Sequence, residues 1–238
     1  MASSFATKLD GDVRRIFETP WDIRSGFVVP NTENVALADG AVKLDAVMLY
    51  ADLASSTRLA RKFDRSVTAK VVRAYLSTMT QLVKNAGGQV RSFDGDRVMG
   101  VFVGKSKNSS AADCALKMNH VVTKILRPKA EAKFPSLVKN GFRLAHCVGI
   151  HGSSVLVVRA GVRGDNDLVF IGSAPNLAAK LSEIRNSPFH SYLTHSVFGK
   201  LNARAKSSSQ GKQMWEKVKI KLGDETWQCY RSSWSRSP

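Results

Sequence analysis

The stretch "VMLYADLASSTRLARKF", residues 47–63, places an aspartate at a junction between two kinds of secondary structure. The residues before Asp52 are nearly all apolar, as in a strand that is buried on both faces. Small and hydroxyl-bearing residues follow, and then a basic segment with the spacing of an amphipathic helix. We therefore predict a strand over 44–51 and one or two helices over 53–86, with a carboxylate between them.

Outward from this stretch, strand patterns alternate with helix patterns. Two short strands, "QVRSF" and "RVMGVFV", flank the turn "DGD" at 94–96, which is a strong hairpin signal. Further helices are predicted at 109–126, 173–186 and 195–202, and further strands at 142–150, 154–159, 167–171, 190–194, 214–221 and 226–231. Crossovers mixed with hairpins predict an α+β fold, a ferredoxin-like mixed sheet with helices mainly on one face.

The two ends of the chain are predicted to lie outside this sheet. Residues 10–18 have the pattern of a short helix that ends before Pro20, and an extended arm follows. Three apolar residues of the arm are expected to dock on the main body: Trp21, Phe27 and Val28. The predicted division is an N-terminal helix and arm over 1–43, one domain over 44–232 and a frayed tail over 233–238.

The charge balance narrows the classes of ligand. Lys and Arg number 36 against 19 Asp and Glu, which gives a net charge of +17. Such a chain attracts nucleic acid, acidic membranes or nucleoside triphosphates. It has no apolar run of about 18 residues and no secretory signal. Three scattered cysteines (Cys114, Cys147 and Cys229) suit a reducing compartment, so we expect a cytoplasmic protein that does not span a membrane.

Asp52 and Asp96 are the strongest candidates for a chemical site. The first strand and the hairpin are neighbours in a ferredoxin-like sheet, so the two carboxylates can converge at one edge. Paired carboxylates suit Mg²⁺ or Mn²⁺, and two such ions about 3.5–4 Å apart can activate an attacking oxygen and stabilise a leaving one. The alternative is that Asp52 caps the helix and Asp96 is a turn residue.

The segment "ASST" after Asp52 adds a second signal. Small residues at a helix start leave backbone N–H groups open to phosphate. Together with the carboxylates and the many basic residues, it indicates a nucleoside triphosphate. Neither the phosphate loop of P-loop proteins nor a dinucleotide glycine fingerprint is present.

Five segments, in order, resemble the class III nucleotidyl cyclases. They are "VMLYADLASST", "VRSFDGDRVMGVF", "GIHGSSVLVV", "VFIGSAPNLAAKLSEI" and "KVKIKLGDETWQCY", and they span about residues 44–232. The resemblance implies that the ribose 3′-oxygen attacks the α-phosphate and that pyrophosphate leaves. It also implies a head-to-tail homodimer in which each site is shared between the two subunits.

The resemblance assigns the metal and phosphate ligands to the opening stretch and the hairpin. Asp52 and Asp96, aided by the carbonyl of Leu53, would hold two divalent cations, Mg²⁺ or Mn²⁺. The β- and γ-phosphates would meet backbone amides of the segment that begins at Leu53 and includes Ser55, Ser56 and Thr57.

The resemblance assigns further roles, and it places the ribose asparagine and the residue aligned with Lys180 in the partner subunit. Asn176 would orient the ribose, and Lys221, with Lys219 as the alternative, would meet the γ-phosphate. Lys180 stands where the family usually has a transition-state arginine. Lysine lacks the guanidinium fork, so either Lys180 serves, or Arg185 reaches in, or activity is low.

The base-reading positions depart from those of adenylate cyclases. The family's purine-reading lysine and carboxylate fall on Ser92 and Val169, and Tyr50 replaces a usual phenylalanine two residues before Asp52. This pattern resembles the pyrimidine cyclases of Pycsar antiphage systems, which make cyclic UMP or cyclic CMP to activate a separate effector. We expect UTP as substrate, with CTP as the alternative. Tyr50 would narrow the pocket and offer one hydroxyl, unless it serves only in core packing.

Two other functions compete with this interpretation. One is a catalytically weak cyclase-like domain that senses a nucleotide, which only Lys180 favours. The other is an RNA-binding domain on a ferredoxin-like sheet, but Phe93 and Phe102 do not make a full ribonucleoprotein motif. His146 and His151 lie five positions apart, which places them on opposite faces of a strand and argues against a shared metal.

Overall fold

A computed structural model describes residues 4–238, which fold around a nine-stranded mixed sheet. The strands are β1 (Asp22–Ser25), β2 (Gly40–Leu53), β3 (Gln89–Asp94), β4 (Arg97–Phe102), β5 (His146–Val162), β6 (Asp165–Ile171), β7 (Ser191–Thr194), β8 (Glu216–Leu222) and β9 (Glu225–Ser232). Their order is β3-β4-β2-β5-β7-β9-β8, with β1 paired along β2 and β6 along β5.

Helices connect these strands. They are α1 (Ser4–Glu18), α2 (Ser56–Lys62), α3 (Arg65–Asn85), α4 (Lys107–Val121), α5 (Arg127–Lys133), α6 (Pro135–Lys139), α7 (Ser173–Ser182), α8 (His195–Gly199) and α9 (Ala203–Lys206). A 3₁₀ turn at Thr32–Asn34 precedes β2, and a π-helical turn at Val122–Leu126 joins α4 to α5. In the described part of the chain, no helix is long and apolar enough to cross a membrane.

The predicted buried strand is β2, at the centre of the sheet. It pairs antiparallel with β4 on one side and β5 on the other. Alternate residues such as Val47 and Leu49 face a core formed with α3 and α4, while Leu44 and Met48 face a second core beneath α7. The apolar run is therefore explained by burial on both faces. The predicted mixed sheet is confirmed, with α3 and α4 on one face and α7 on the other.

Several predicted boundaries were wrong, among them the start of the N-terminal helix, which is Ser4 and not residue 10; packing and pairing explain two others. Strands expected at 142–150 and 154–159 form the single strand β5, because Gly152 stays in register opposite Val47. A Cβ at Gly152 would lie 3.0 Å from the Val47 side chain, so the glycine serves close packing and not a turn. The helix expected to reach residue 186 ends at Ser182, since residues 186 and 189 pair in a short β-bridge.

The N-terminal arm differs from the prediction in its side chains. Trp21, Phe27 and Val28, expected to dock, are 45%, 88% and 69% exposed. β1 joins the sheet through its backbone, and all four of its residues are exposed, so pairing does not require these side chains to be buried. Val29 and Val35 instead anchor the arm in the second core.

The C-terminal tail is also more ordered than predicted. The amide of Asn119 on α4 donates to the carbonyls of Ser233 and Trp234, at 3.2 and 2.9 Å. The Arg236 guanidinium pairs with the Asp113 carboxylate, and the backbone N–H of Arg236 donates to the Leu116 carbonyl. These contacts hold the expected frayed tail against α4.

Candidate active site

The sheet edge at the end of β2 brings the two predicted aspartates together. Asp52 pairs in register with Arg97, the first residue of β4, and Asp96 immediately precedes Arg97 in the hairpin turn. Gly95 supplies the left-handed conformation (φ 59°) that this tight turn requires. Asp52, Leu53 and Asp96 line one groove of about 410 Å³.

The Asp96 carboxylate has unmet bonding capacity. Its Oδ2 atom is buried, and no residue in the described range 4–238 donates a hydrogen bond to it. A buried acceptor without a partner costs free energy, and a cation would satisfy it. The residues present therefore fit a divalent cation that takes oxygen ligands.

The protein donors at this edge are few. Within residues 4–238 no three His, Cys, Asp or Glu side chains cluster as a metal site. Four carboxylates line the groove, and two of them, Asp94 and Glu183, are paired with Arg97. The predicted ligands are the other two carboxylates and the Leu53 carbonyl. Mg²⁺ commonly binds through one or two carboxylates, with substrate phosphates and water completing its shell.

The Asp52 carboxylate is paired and partly buried. Arg185, in the loop after α7, donates a hydrogen bond to it from Nη2. Burial raises the pKa of Asp52; the Arg185 guanidinium opposes this shift, and the nearby Asp96 charge adds to it. The Arg185 guanidinium therefore favours the ionised form of this carboxylate, against the effect of its burial.

The turn between β2 and α2 presents backbone amides to the same groove. Ser55 adopts a left-handed conformation (φ 62°, ψ 29°), which is uncommon for a residue other than glycine. Ser56 and Thr57 then open α2, where the first N–H groups have no intrahelical partner. A left-handed residue next to helical ones points successive N–H groups at one spot and forms an anion-binding concavity. All three residues line the groove.

Tyr50 stands two residues back from Asp52 on the same face of β2. It pairs with Met99 of β4, and Met99 pairs with Ser92 of β3, so the three side chains form a row across the sheet. The Tyr50 hydroxyl donates to Met99 Sδ at 2.8 Å. Tyr50 does not itself line the groove: it packs against the second core beside Arg97, which does line the groove, and its hydroxyl proton is already used.

A glycine sets how closely α7 approaches this row. Gly149 pairs with Tyr50 from the other side, and a Cβ there would lie 2.0 Å from the Ala178 carbonyl oxygen. Only glycine allows this contact. The close approach directs the end of α7, with Glu183 and Arg185, towards the groove.

The other predicted residues lie apart from the groove in one chain. Asn176 and Lys180 are exposed on α7, and Lys221 is exposed on β8. Lys180 points at the β8–β9 turn, where a Cβ on Gly223 would lie 3.7 Å from its Nζ atom. Lys180 and Lys221 therefore belong to one region, and neither lines the groove with Asp52.

Val169 does not join Ser92 in the row beside Tyr50. It lies on β6 opposite Val158, at the level of Ala41 along β2. Its neighbours Leu168 and Phe170 are buried in the second core, while Val169 itself is exposed.

Three charged groove residues were missed by sequence reasoning: Asp94, Arg97 and Glu183. Arg97 donates to Glu183 and to Asp94, both at 2.9 Å, and its guanidinium lies 5.6 Å from the Tyr50 ring centroid. The antiparallel register of the hairpin, which places residue 97 opposite Asp52, was the available signal for Arg97. No sequence signal identified Glu183.

The two histidines share no site, as predicted. His151 contacts Thr194 Oγ1 at 2.8 Å and Ser173 Oγ at 3.3 Å on the α7 side of the sheet. His146 packs on the other side, between the rings of Tyr75 and His190. His151 is satisfied by structural hydrogen bonds.

The chain is similar to known proteins both in sequence and in fold. The chain is 43% identical over 231 residues to the uridylate cyclase of Rhodovulum sp. (strain MB263), covering 97% of this chain and 96% of that protein. It is 37% identical to the uridylate cyclase of Xanthomonas perforans, with 92% of each covered. The guanylyl cyclase Cya2 shares the fold (TM-score 0.68, 14% identity, 82% of this chain and 95% of that one). No protein-family profile matches the chain.

Proposed function

Because this chain belongs to the uridylate cyclase family, we propose that its groove converts UTP into 3′,5′-cyclic UMP and pyrophosphate. The chain is a nucleotidyl cyclase with a class III cyclase fold. One observation carries the assignment of the site. Asp52 and Asp96 meet at the sheet edge, and a buried, unpartnered oxygen of Asp96 lies beside the backbone amides that follow β2.

The metal ligands in this proposal are Asp52, Asp96 and the carbonyl of Leu53. When bound, two Mg²⁺ or Mn²⁺ ions activate the ribose 3′-oxygen and neutralise charge at phosphorus. Asp52 would then contact a cation in place of the Arg185 guanidinium that it contacts in the structure. Both belong to the same groove, so the freed guanidinium stays near the phosphates, where its fork suits bidentate contacts.

The triphosphate tail is proposed to lie on the turn at Ser55. Backbone N–H groups of Ser55, Ser56 and Thr57 would donate to the β- and γ-phosphate oxygens. The left-handed Ser55 fixes these donors before substrate arrives, so little reorganisation is needed. The buried side chain of Leu59 holds α2 in place behind them.

The active site is proposed to form between two copies of the chain. Asn176, Lys180 and Lys221 would come from the partner subunit, since none of them lines the groove in one chain. Lys180 and Lys221 lie in one region, as a shared site requires.

Helix α1 also supports an assembly. It is amphipathic, yet none of its described residues is buried. Its exposed apolar side chains are Phe5, Leu9, Val13, Ile16 and Phe17. A 15-residue helix is marginal in water unless an apolar face is packed, so a second subunit is the natural cover.

The choice of a pyrimidine is proposed to lie in the row beside Asp52. Tyr50 narrows the space for a two-ring base, and Ser92 in the same row is not a purine-reading lysine. Val169, which lies outside the row, is not a purine-reading carboxylate. CTP remains the alternative substrate, because a side chain that excludes purine bases does not by itself discriminate between uracil and cytosine.

The biological role is proposed from the resemblance to the Pycsar cyclases. Cyclic UMP would act as a second messenger in antiphage defence by activating a separate effector protein. The three cysteines are free and buried, which fits the reducing cytoplasm of a cell.

The test is cyclic UMP formation by carboxylate variants. Asp52→Asn and Asp96→Asn should each abolish turnover of UTP with Mn²⁺, because neutral amides hold divalent cations poorly. Asp45→Asn is a matched control on strand β2, because Asp45 does not line the groove. Its carboxylate lies 2.8 Å from the Lys107 ammonium, with which it is paired. Unchanged cyclic UMP formation in either groove variant would refute the site.

A further inference from the structure

A second cavity, of about 400 Å³, adjoins the groove at Ala54 and Arg185. We call it the basic cavity, after its charged and imidazole side chains: Arg127, Arg143, His146, Arg185 and His190. Among residues 4–238, no carboxylate lines it. It lies where the starts of β5 and β7 meet the loop that follows α7.

Arg185 of the basic cavity is paired with Asp52, whereas the other two arginines have no ion-pair partner among the described residues. In the described part of the chain, neither Arg127 nor Arg143 takes part in an ion pair. Burial lowers the pKa of Arg127, the like charge of Arg143 lowers it further, and the Glu131 carboxylate opposes these shifts. Arg127 Nε donates to the Leu144 carbonyl at 2.7 Å, which fixes the side chain at the cavity wall. Positive charges around a cavity raise the local concentration of anions.

His146 gives a second, independent sign of a missing ligand. It is only 3% exposed, and neither ring nitrogen has a hydrogen-bond partner among residues 4–238. Buried polar atoms are nearly always satisfied, so an unpaired imidazole in a cavity wall indicates a ligand or ordered water. The neutral ring has one N–H to donate, which an anion can accept.

The size and charge of the basic cavity select among anions. Three guanidinium groups offer bidentate contacts to phosphate oxygens, and their summed charge suits a polyanion better than a single carboxylate. A volume of about 400 Å³ is far larger than one phosphate needs. A diphosphate or triphosphate group matches both the charge and the room.

We propose that the basic cavity binds a diphosphate or triphosphate group. Two sources share this chemistry: the pyrophosphate released in the neighbouring groove, and the phosphate tail of a second nucleotide. The first source rests on the proposed function, whereas the polyphosphate preference does not. Arg185 lines both the groove and the cavity, so an anion in the cavity would draw it from Asp52.

The experiment is calorimetric titration of the chelator-treated, metal-free protein with pyrophosphate, with UTP and with inorganic phosphate. Arg143→Ala is the informative variant, because Arg143 lines the cavity and not the groove. Arg163→Ala is the matched control, since Arg163 is an exposed arginine in the β5–β6 turn. His146→Phe keeps the ring shape and removes the donor, and its circular dichroism checks the fold.

We expect pyrophosphate to bind wild type and Arg163→Ala equally, at least tenfold more weakly to Arg143→Ala, and severalfold more weakly to His146→Phe. A second outcome is that pyrophosphate does not bind but UTP does, and that UTP binding is weakened by Arg143→Ala. This outcome would show that the cavity binds the phosphate tail of a nucleotide. Absence of both, or equal binding by Arg143→Ala, would overturn the proposal. The titration measures binding without metal and does not depend on cyclic UMP synthesis. A failure of the cavity proposal can therefore be distinguished from a failure of the proposed function.

Discussion

Arg185 donates a hydrogen bond to the Asp52 carboxylate from the loop that follows α7. The two residues are 133 positions apart in the chain, and the close packing of α7 on Gly149 brings them together. The guanidinium favours the ionised form of the Asp52 carboxylate, whose pKa is raised by burial. Arg185 therefore competes with any cation that Asp52 is to bind.

Removing this competitor should strengthen metal binding in the absence of nucleotide. The ion pair is partly exposed, so its loss is worth about 1 kcal/mol at most, or roughly fivefold in affinity. We expect calorimetry at pH 8 to show tighter Mn²⁺ binding by Arg185→Gln than by wild type. Arg163→Gln, which removes a distant positive charge, controls for net charge. Unchanged or weaker binding by Arg185→Gln contradicts the competition.

Tyr50 should control the size of the base that the site accepts. Tyr50→Ala removes one wall of the pocket, which should shift selection between pyrimidine and purine triphosphates by about 1–3 kcal/mol, or roughly 10- to 200-fold. The measurement is kcat/KM for UTP, CTP, ATP and GTP. A pyrimidine-to-purine ratio that does not move would mean that Tyr50 is only a core residue.

Tyr50→Phe separates the two properties of this side chain. It keeps the ring and removes the hydroxyl that donates to Met99. Because that proton is directed at sulfur and not at the pocket, we expect Tyr50→Phe to retain most of the wild-type selectivity. A loss as large as that of Tyr50→Ala would show that the hydroxyl contacts the base.

Mixed subunits should reveal a shared site. Asp52→Asn removes a metal ligand, and Asn176→Ala removes the proposed ribose contact of the partner subunit. A dimer of one copy of each has one site with both lesions and one with neither, so mixing the inactive proteins should restore part of the activity. Native mass spectrometry confirms heterodimers. No recovery in their presence would place the whole site in one chain.

His146 should make the fold sensitive to acid. Burial lowers its pKa from 6.5 to about 3. Below about pH 6.5 this histidine is protonated in the unfolded chain but stays neutral in the folded chain. The free energy of unfolding therefore falls as the pH drops towards 3. At pH 5 the loss from this residue is about 2 kcal/mol relative to pH 8.

His146→Phe removes that proton uptake. In urea unfolding at pH 8 and pH 5, we expect the variant to lose about 2 kcal/mol less than wild type between the two conditions. The comparison within each protein cancels any packing change caused by the new ring. Equal losses in the two proteins would show that His146 is protonated in the folded state.

The elements around the site could be predicted because their signals are local. The apolar run before Asp52 and the "DGD" turn specify β2 and the β3–β4 hairpin without reference to the rest of the chain. The meeting of Asp52 and Asp96 follows from the neighbouring positions of these elements. Strand patterning also places Tyr50 on the same face as Asp52.

The remaining contacts depend on tertiary packing. The approach of Arg185 to Asp52 requires α7 to cross β5 at Gly149, which no local pattern encodes. The side chains of Trp21, Phe27 and Val28 are apolar, but composition does not say whether the same chain or a second subunit covers them. The direction of the Tyr50 hydroxyl depends on the β2–β4 register, which only the folded sheet fixes.

The central claim is that this groove cyclises a pyrimidine triphosphate, and the product formed from each of the four nucleoside triphosphates tests it most directly. The purified protein is incubated with UTP, CTP, ATP or GTP and Mn²⁺ or Mg²⁺, and the nucleotides are separated and identified by mass. We predict cyclic UMP with release of pyrophosphate as the main product, little cyclic AMP or cyclic GMP, and none with Asp96→Asn. Preferential formation of a cyclic purine nucleotide, or no cyclic nucleotide from UTP or CTP with either metal, would contradict it.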